Sequence, residues 1–408
     1  MGPAHHACRA SRASGGGDRL NETARVGATA PAHVPAHVPA LDGVRGLAVL
    51  IVIIHNAAWL SGPSEQFVLK LFGAVAASGW IGVQLFFALS GYLITGILLD
   101  SRGHPGYFRS FYLRRTLRIF PLYYAFLMVV VFVAAPLAWS PTWAADVRSE
   151  QWPYWLYLSN WMQPFGVDIH GLTHLWSLAV EEQFYFLWPV LAWWLGRRGL
   201  ARFAVALIIT APFIRYGLRA AGLPLETAYM FTIARWDALA AGALLAAMLR
   251  DPQGRALIVA CKGRVTAAAA LALIALVLRQ RGFHSEDIPN QVIGQSLIGI
   301  LSTCLIAYAV LPGTTGLTAL QRTLSAGWLR TVGKYSYAMY VFHFPIHHLM
   351  NPYKGAWELG SDDPLRIVRV LGYLTLVILL SFAAALVSWR LIEKPFLDLK
   401  EKWAPRVG

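Results

Sequence analysis

Leu41-Asp-Gly-Val-Arg-Gly-Leu-Ala-Val-Leu-Ile-Val-Ile-Ile-His55 opens with two charges, then runs for nine residues from Gly46 to Ile54 without a polar side chain before it meets a histidine. The run reads as the heart of a membrane-spanning helix over 44–60. An ionisable side chain at that depth is costly to bury and faces a bundle interior or a wet cavity, so His55 is a candidate functional group. The plainer alternative is a structural histidine bonded to a neighbouring helix. Asp42 and Arg45 stand three residues apart on one helical face, close enough to pair. His55 lies ten residues beyond Arg45, about 15 Å along a helix axis. That spacing sets a charged pair near one membrane boundary and an imidazole near the membrane middle. With an ordinary pKa of about 6.5, the imidazole suits a general base acting where substrates from the two sides meet. It equally suits a proton relay in a transporter.

Composition widens this reading to the whole chain. Of 408 residues 57% are hydrophobic and only 14% charged, with a mean hydropathy of +0.50; soluble domains carry about 25% charged residues. The chain is therefore a polytopic, all-α membrane protein. Its net charge of +14 does not point to nucleic acid, because the Lys and Arg residues sit between apolar segments without basic runs or a nucleic-acid motif. Cys8 lies in the N-terminal tail, and Cys261 and Cys304 in or near apolar segments. No disulfide framework or metal-ligand spacing results, and no metal is expected.

Residues 1–40 form a Gly-, Ala-, Pro-, His- and Arg-rich segment that includes Pro31-Ala-His-Val-Pro-Ala-His-Val-Pro39. That composition predicts a disordered cytoplasmic tail in which His33 and His37 belong to a solvated linker. It has no signal-peptide hydrophobic region and is expected to stay uncleaved. Ten candidate spans follow, near 44–60, 79–99, 120–138, 174–195, 200–214, 228–249, 264–278, 292–311, 335–350 and 367–391. They make up a transmembrane domain over 41–396, with 397–408 as a cytoplasmic C-terminal tail. With both termini inside, the inner segments hold Arg102, Arg109, Arg114, Arg115 and Arg118. They also hold Arg197, Arg198, Arg202, Arg250, Arg255, Lys262, Arg264, Arg322, Arg330, Lys334 and the basic C-terminus. The outer loops hold Lys70, Arg148, Arg215, Arg219, Arg235, Arg279, Arg281, Lys354, Arg366 and Arg369, a bias of better than two to one for the inside. The longest outer loop, 139–173, carries Trp139, Trp143, Trp152, Tyr154, Trp155, Tyr157 and Trp161. Membrane-interface anchoring accounts for such a belt; a platform on which sugar faces stack is the alternative.

Three further constellations carry chemistry. In Phe111-Tyr-Leu-Arg-Arg-Thr-Leu-Arg-Ile-Phe-Pro-Leu-Tyr-Tyr124, Arg114 and Arg118 share a helical face at i, i+4 with Arg115 beside them. They suit either anchoring to anionic lipid or a clamp on phosphate, for which the guanidinium fork is fitted; a cytoplasmic coenzyme A ester would fill it. In His174-Leu-Trp-Ser-Leu-Ala-Val-Glu-Glu-Gln-Phe-Tyr-Phe-Leu-Trp-Pro189, Glu181 and Glu182 are adjacent acids in an apolar span. Acids so placed need partners, and the arginines or His55 are candidates. A purely structural ion pair remains open for Glu182. In Gly82-Val-Gln-Leu-Phe-Phe-Ala-Leu-Ser-Gly-Tyr-Leu-Ile94, Ser90-Gly91 allows close helix approach. No Gly-X-Ser-X-Gly elbow surrounds Ser90, so a serine-hydrolase reading fails.

Together these segments resemble the acyltransferase 3 family of integral-membrane O-acyltransferases over nearly the whole chain after residue 40. The opening Leu41–His55 stretch, Gly82–Ile94, Arg114-Arg-Thr-Leu-Arg-Ile-Phe-Pro121 and, most specifically, His174–Tyr185 resemble successive family motifs. Arg235-Trp-Asp-Ala-Leu-Ala-Ala-Gly242, Ser336-Tyr-Ala-Met-Tyr-Val-Phe-His-Phe-Pro345 and Glu393-Lys-Pro-Phe396 agree in kind and order. The resemblance implies transfer of an acyl group, often acetyl, from cytoplasmic acyl-CoA to a hydroxyl of a sugar or cell-envelope polysaccharide at the inner membrane. It implies His55 as the catalytic histidine and Arg45 as its partner. Arg114, Arg115 and Arg118 would lie near the donor, with Glu181, and Asp42 through Arg45, in the substrate-binding set. No bound cofactor is implied beyond acyl-CoA as donor substrate, and the partners are the donor, a hydroxyl-bearing acceptor and the bilayer.

Two departures stand out. Nine residues separate Arg45 from His55 where the family pattern has ten, which turns His55 about 100° around the helix. Gln84 stands where an acid is common. The chain is also expected to lack the extracytoplasmic hydrolase-like domain that some relatives carry. Two other readings stay open: acylation of a small secondary metabolite or glycolipid, and a proton-coupled transporter or exporter built on the same acids and His55.

Overall fold

A computed structural model describes residues 38–57, 73, 76, 78–138, 140–280, 287–311, 318–350 and 365–403. Residues 1–37 of the expected N-terminal tail, with Cys8, His33 and His37, lie outside the described residues, as do Lys70, Trp139, Arg281, Lys354 and the last five residues of the C-terminal tail. Pro39 and Ala40, assigned to the tail from sequence, instead open the first helix. Every regular element among the described residues is helical. The long ones are α1 (Pro39–Ala57), α2 (Ile81–Asp100), α3 (Tyr107–Val129), α4 (Trp176–Ala220) and α5 (Thr232–Leu249). They continue as α6 (Pro252–Gln280), α7 (Gln295–Val310), α8 (Gly327–Met350) and α9 (Arg366–Ser388).

Eight stretches are long and apolar enough to cross a membrane, against the ten read from sequence. The two descriptions differ at α4 and α8. At 45 residues α4 is twice the length a bilayer needs, and it breaks at Gly196, whose φ of 60° and ψ of −178° lie outside the helical region. The expected spans 174–195 and 200–214 are its two limbs. Helix α8 contains the expected span 335–350, but Arg330, Lys334 and three histidines keep it outside the eight.

Burial sorts the helices. The apolar window of α5 is 83% buried and that of α6 only 6%, so α5 is the axis of the bundle and α6 presents Leu271, Ile274 and Leu278 outward, as a lipid-facing helix does. Helices α2 and α5 run parallel. Tyr229, just before α5, meets Trp80, just before α2, with ring centroids 6.3 Å apart. At the far ends Arg250 grips Asp100 through Nε at 2.6 Å and Nη2 at 2.5 Å. Between those ends the backbones nearly touch, as Ser90-Gly91 suggested. A Cβ on Gly91 would sit 1.8 Å from the carbonyl oxygen of Leu239, and one on Gly242 1.8 Å from that of Ala88. Small residues at this crossing let two apolar helices pack without a hydrophobic driving force between them. Gly91→Ala must therefore push the helices apart, and it is expected to lower stability by about 1–3 kcal/mol, read as a reduced unfolding temperature in detergent. An unchanged unfolding temperature would contradict the packing.

Arg215 and Arg235, counted from sequence among the outer-loop cations, instead lie inside the bundle at 0% exposure. Arg215 donates to Asp237 at 2.9 Å, to the carbonyl of Ala234 at 2.5 Å and to Ser296 at 2.5 Å. Their removal strengthens the charge bias that the loops show. The loop aromatics are mostly structural. Trp143 Nε1 donates to the carbonyl of His170 at 2.9 Å and Trp161 Nε1 to Gln183 at 3.0 Å. Tyr157 stacks on Tyr123 with centroids 4.3 Å apart. Burial holds the Tyr154 hydroxyl well above its ordinary pKa, so it stays protonated and donates to Asp168 at 2.7 Å. Among the described loop tryptophans, Trp152 alone is largely exposed, at 45%.

Candidate active site

Helix α1 carries the site's two levels. At the lower level Arg45 donates to Asp42 at 3.3 Å, which realises the i, i+3 pair read from sequence. Arg45 also lines a cavity of about 110 Å³ enclosed by α1, α2, α3, α4 and α8. Arg115 and Arg118 enter it from α3, Glu181, Glu182 and Tyr185 from α4, Ser90 from α2, and Tyr337 and Tyr340 from α8. The periodicity of α3 explains which arginines meet. Residues at i and i+3 share a face, and here the inward face takes Arg115 and Arg118, while Arg114 is not among the lining residues.

Three guanidinium groups thus face two carboxyl groups inside an apolar bundle. Among the described residues no ion pair within 4.0 Å crosses the cavity, so the charges line the space instead of closing it. Arg115 is held in place by stacking, its Cζ 4.7 Å from the centroid of the Tyr185 ring. The Tyr185 hydroxyl is in turn hydrogen-bonded to Ser90. Glu181 stands beside Ser90 and Tyr185 and faces Arg115 and Arg45. Arg118 is the exposed member of the three and marks the mouth.

The cavity ends at Tyr340, whose hydroxyl meets Ser177 Oγ at 2.6 Å and donates to the carbonyl of His174 at 3.0 Å. Beyond that stopper lies a layer of histidines. His343 packs on His174 with ring centroids 5.1 Å apart. Its Nδ1 donates to the carbonyl of Tyr340 at 2.6 Å, which leaves Nε2 to accept from Asn56 Nδ2 at 2.9 Å. His55 is the neighbour of Asn56 on α1. Its Nδ1 donates to the carbonyl of Ala76 at 2.8 Å. A carbonyl only accepts, so a neutral His55 carries its proton on Nδ1 and presents the lone pair of Nε2.

His55 and Arg45 therefore occupy different levels of one helix. Arg45 belongs to the cavity and His55 does not line it. The nine-residue spacing is consistent with this, since His55 bonds Ala76 and no bond joins it to Arg45 among the described residues. Of the residues singled out from sequence, Arg45, Arg115, Arg118 and Glu181 line this one cavity, whereas His55, Arg114 and Asp42 do not. Tyr337 and Tyr340 fall within the Ser336–Pro345 motif but are not distinguished there, because aromatic residues in apolar spans read as core.

The structure is thus a multi-pass membrane bundle holding an arginine-lined cavity, with a histidine layer stacked above it. The family model of the acyltransferase domain matches residues 38–390. The chain belongs to that family, acyltransferase 3. The peptidoglycan O-acetyltransferase OatA of Listeria monocytogenes is 30% identical over 378 residues, which is 87% of this chain and 55% of that protein. YrhL of Bacillus subtilis is 31% identical over 375 residues, 87% of this chain and 54% of that one. The O-acetyltransferase OatA of Staphylococcus aureus is 28% identical over 380 residues, 87% of this chain and 56% of that one. The chain thus spans little more than half the length of these relatives. No solved structure matches it.

Proposed function

We propose that the chain is an inner-membrane O-acetyltransferase that moves acetyl from cytoplasmic acyl-CoA to a sugar hydroxyl of a cell-envelope polysaccharide. The observation that carries this reading is the cavity itself, in which Arg45, Arg115 and Arg118 converge on the helix that bears His55. Guanidinium groups bind phosphate through paired N–H donors, so the phosphates of the donor rest on Arg115 and Arg118 at the mouth. The donor's long pantetheine arm then lies along α1 toward Tyr340, and that ring must swing aside for the thioester to reach the histidine layer. Charge supports a cytoplasmic mouth: Arg102 donates to the carbonyl of Trp193, Arg197 pairs with Asp251 and Arg250 with Asp100, a basic cluster of the kind that favours the cytoplasmic side.

In this reaction the acceptor hydroxyl gives its proton to Nε2 of His55 as its oxygen attacks the thioester carbonyl carbon. The tetrahedral intermediate collapses with cleavage of the carbon–sulfur bond. The thiolate takes the proton back from the imidazolium, leaving an O-acetyl ester and free coenzyme A. Relatives named for O-acetylation of peptidoglycan support the choice of acetyl and of an envelope glycan. The test is to incubate membranes containing the chain with radiolabelled acetyl-CoA and envelope glycans. Label on the glycan, with one equivalent of free thiol released, is expected. Solute movement with no acetyl ester formed would replace the enzyme with a transporter.

A further inference from the structure

One buried group is left without a role by this scheme. Arg235 lies in the first turn of α5 at 0% exposure. Three rings surround its guanidinium, with Cζ 4.8 Å from the centroid of Tyr229, 5.3 Å from Trp176 and 5.4 Å from Phe87. Nη1 donates to the side-chain oxygen of Gln295. Among the described residues Nε and Nη2 have no hydrogen-bond partner. The carboxylate nearest in sequence is not available to them. Asp237 already accepts from Arg215 at 2.9 Å, from Ser296 at 2.5 Å and from the amide of Ala238 at 2.9 Å. Two arginines of one interior are thus treated differently: Arg215 is saturated with acceptors, and Arg235 is a buried cation with no carboxylate bonded to it. Buried charges are otherwise paired and hydrogen-bonded, because burying one alone is costly.

The unpartnered atoms are specific in kind. Nε–H and Nη2–H leave the guanidinium side by side as a planar fork, the geometry that takes both oxygens of a carboxylate at once. The aromatic rings hold the fork in its plane. Two more buried atoms at the same place lack partners: Gln295 Nε2, a donor, and Gln84 Oε1, an acceptor. Gln84 reaches this cluster through its Nε2, which donates to the carbonyl of Gln295 at 3.3 Å. A fork for a carboxylate flanked by one further donor and one acceptor fits an acidic sugar, with its hydroxyls meeting the two amides.

Position agrees. Phe87 lines the arginine cavity and also walls the Arg235 cage. On the other side Tyr229 touches Trp80, and Gly79 beside it packs directly against His55. Of the three rings only that of Tyr229 is partly exposed, so a ligand enters past it. We infer that Arg235, with Gln295 and Gln84, is a carboxylate-recognition site that binds an acidic saccharide as the acyl acceptor. The acceptor role rests on the function proposed above; the binding site does not.

The test uses the purified full chain in detergent and follows its unfolding temperature. The sodium salts of N-acetylmuramic acid and glucuronic acid are compared with the neutral N-acetylglucosamine and glucose at constant ionic strength. One of the acids is expected to raise the unfolding temperature saturably, and its neutral counterpart is not. Gln84→Glu sets an internal carboxylate beside the fork; it is expected to raise the unfolding temperature of the free protein and to abolish the response to the acid. Arg235→Lys keeps the charge and loses the fork, and a tenfold or greater loss of apparent affinity is expected. Should that variant fail to fold, Gln84→Glu decides. Stabilisation by neither acid, or an unchanged response in Gln84→Glu, overturns the site. Acid binding without acetyl transfer to any glycan would keep the site and overturn the enzyme reading. Equal acetylation of acidic and neutral glycans would keep the enzyme reading and overturn the acceptor role of the site.

Discussion

Membranes carrying His55→Ala are expected to show no acetyl transfer above background while the protein inserts and accumulates normally. The expectation follows from how the ring is held. Ala76 accepts the Nδ1 proton at 2.8 Å, which fixes the tautomer and aims the basic Nε2 away from that carbonyl. A positioned base of this kind contributes about 10²–10⁴-fold to the rate. The other contacts of this end of α1 survive the change, because Asn56 still bonds His343 and Gly79 meets less side chain, not more. His55→Gln, which can still donate to Ala76 but offers no base, should be as inactive as alanine. A purely structural histidine makes the opposite pair of forecasts: a lower yield of folded protein with unchanged activity per folded molecule, and rescue by glutamine. Transfer per folded molecule at the wild-type rate in either variant would remove His55 from the chemistry.

What was legible in the sequence was whatever an apolar background makes conspicuous. His55, Arg45 and Glu181 stand out because a charge or imidazole in a run of Leu, Ile and Val needs a reason to be there. Rotation about a helix axis was not legible. Spacing admits both Arg114–Arg118 and Arg115–Arg118 as a shared face. Only packing of α3 against α4, where Tyr107 donates to the carbonyl of Pro189 at 3.0 Å and Tyr112 to that of Phe186 at 2.7 Å, settles which pair turns inward. Depth was equally hidden near span ends. Arg235, followed by Trp236 and Asp237, reads as an outer-loop cation, and the approach of Phe87 from α2 and Trp176 from α4 draws it into the interior. The break at Gly196 falls between the expected spans 174–195 and 200–214, where a helix twice the bilayer's thickness must turn.

The same rotation yields the second large effect. Arg115→Met and Arg118→Met are each expected to raise the KM for acetyl-CoA, and Arg114→Met is not. Hydrogen bonds to charged groups contribute about 1.5–3 kcal/mol each, so losing one corresponds to roughly a 10- to 150-fold weaker donor. The double variant Arg115→Met/Arg118→Met should approach complete loss of turnover at ordinary donor concentrations. Methionine keeps the aliphatic bulk, so the cavity wall beside Tyr185 and Ile119 is preserved. Raising donor concentration should recover kcat in each single variant, because neither residue reaches the histidine layer. The salt dependence should fall as well, since fewer exposed charges then meet the donor's phosphates. If Arg114→Met raises KM as much as Arg115→Met, the basic cluster acts as a diffuse attractive surface and the cavity does not select the donor. If kcat falls with KM unchanged, the arginines serve the transition state, and the donor's phosphates rest elsewhere.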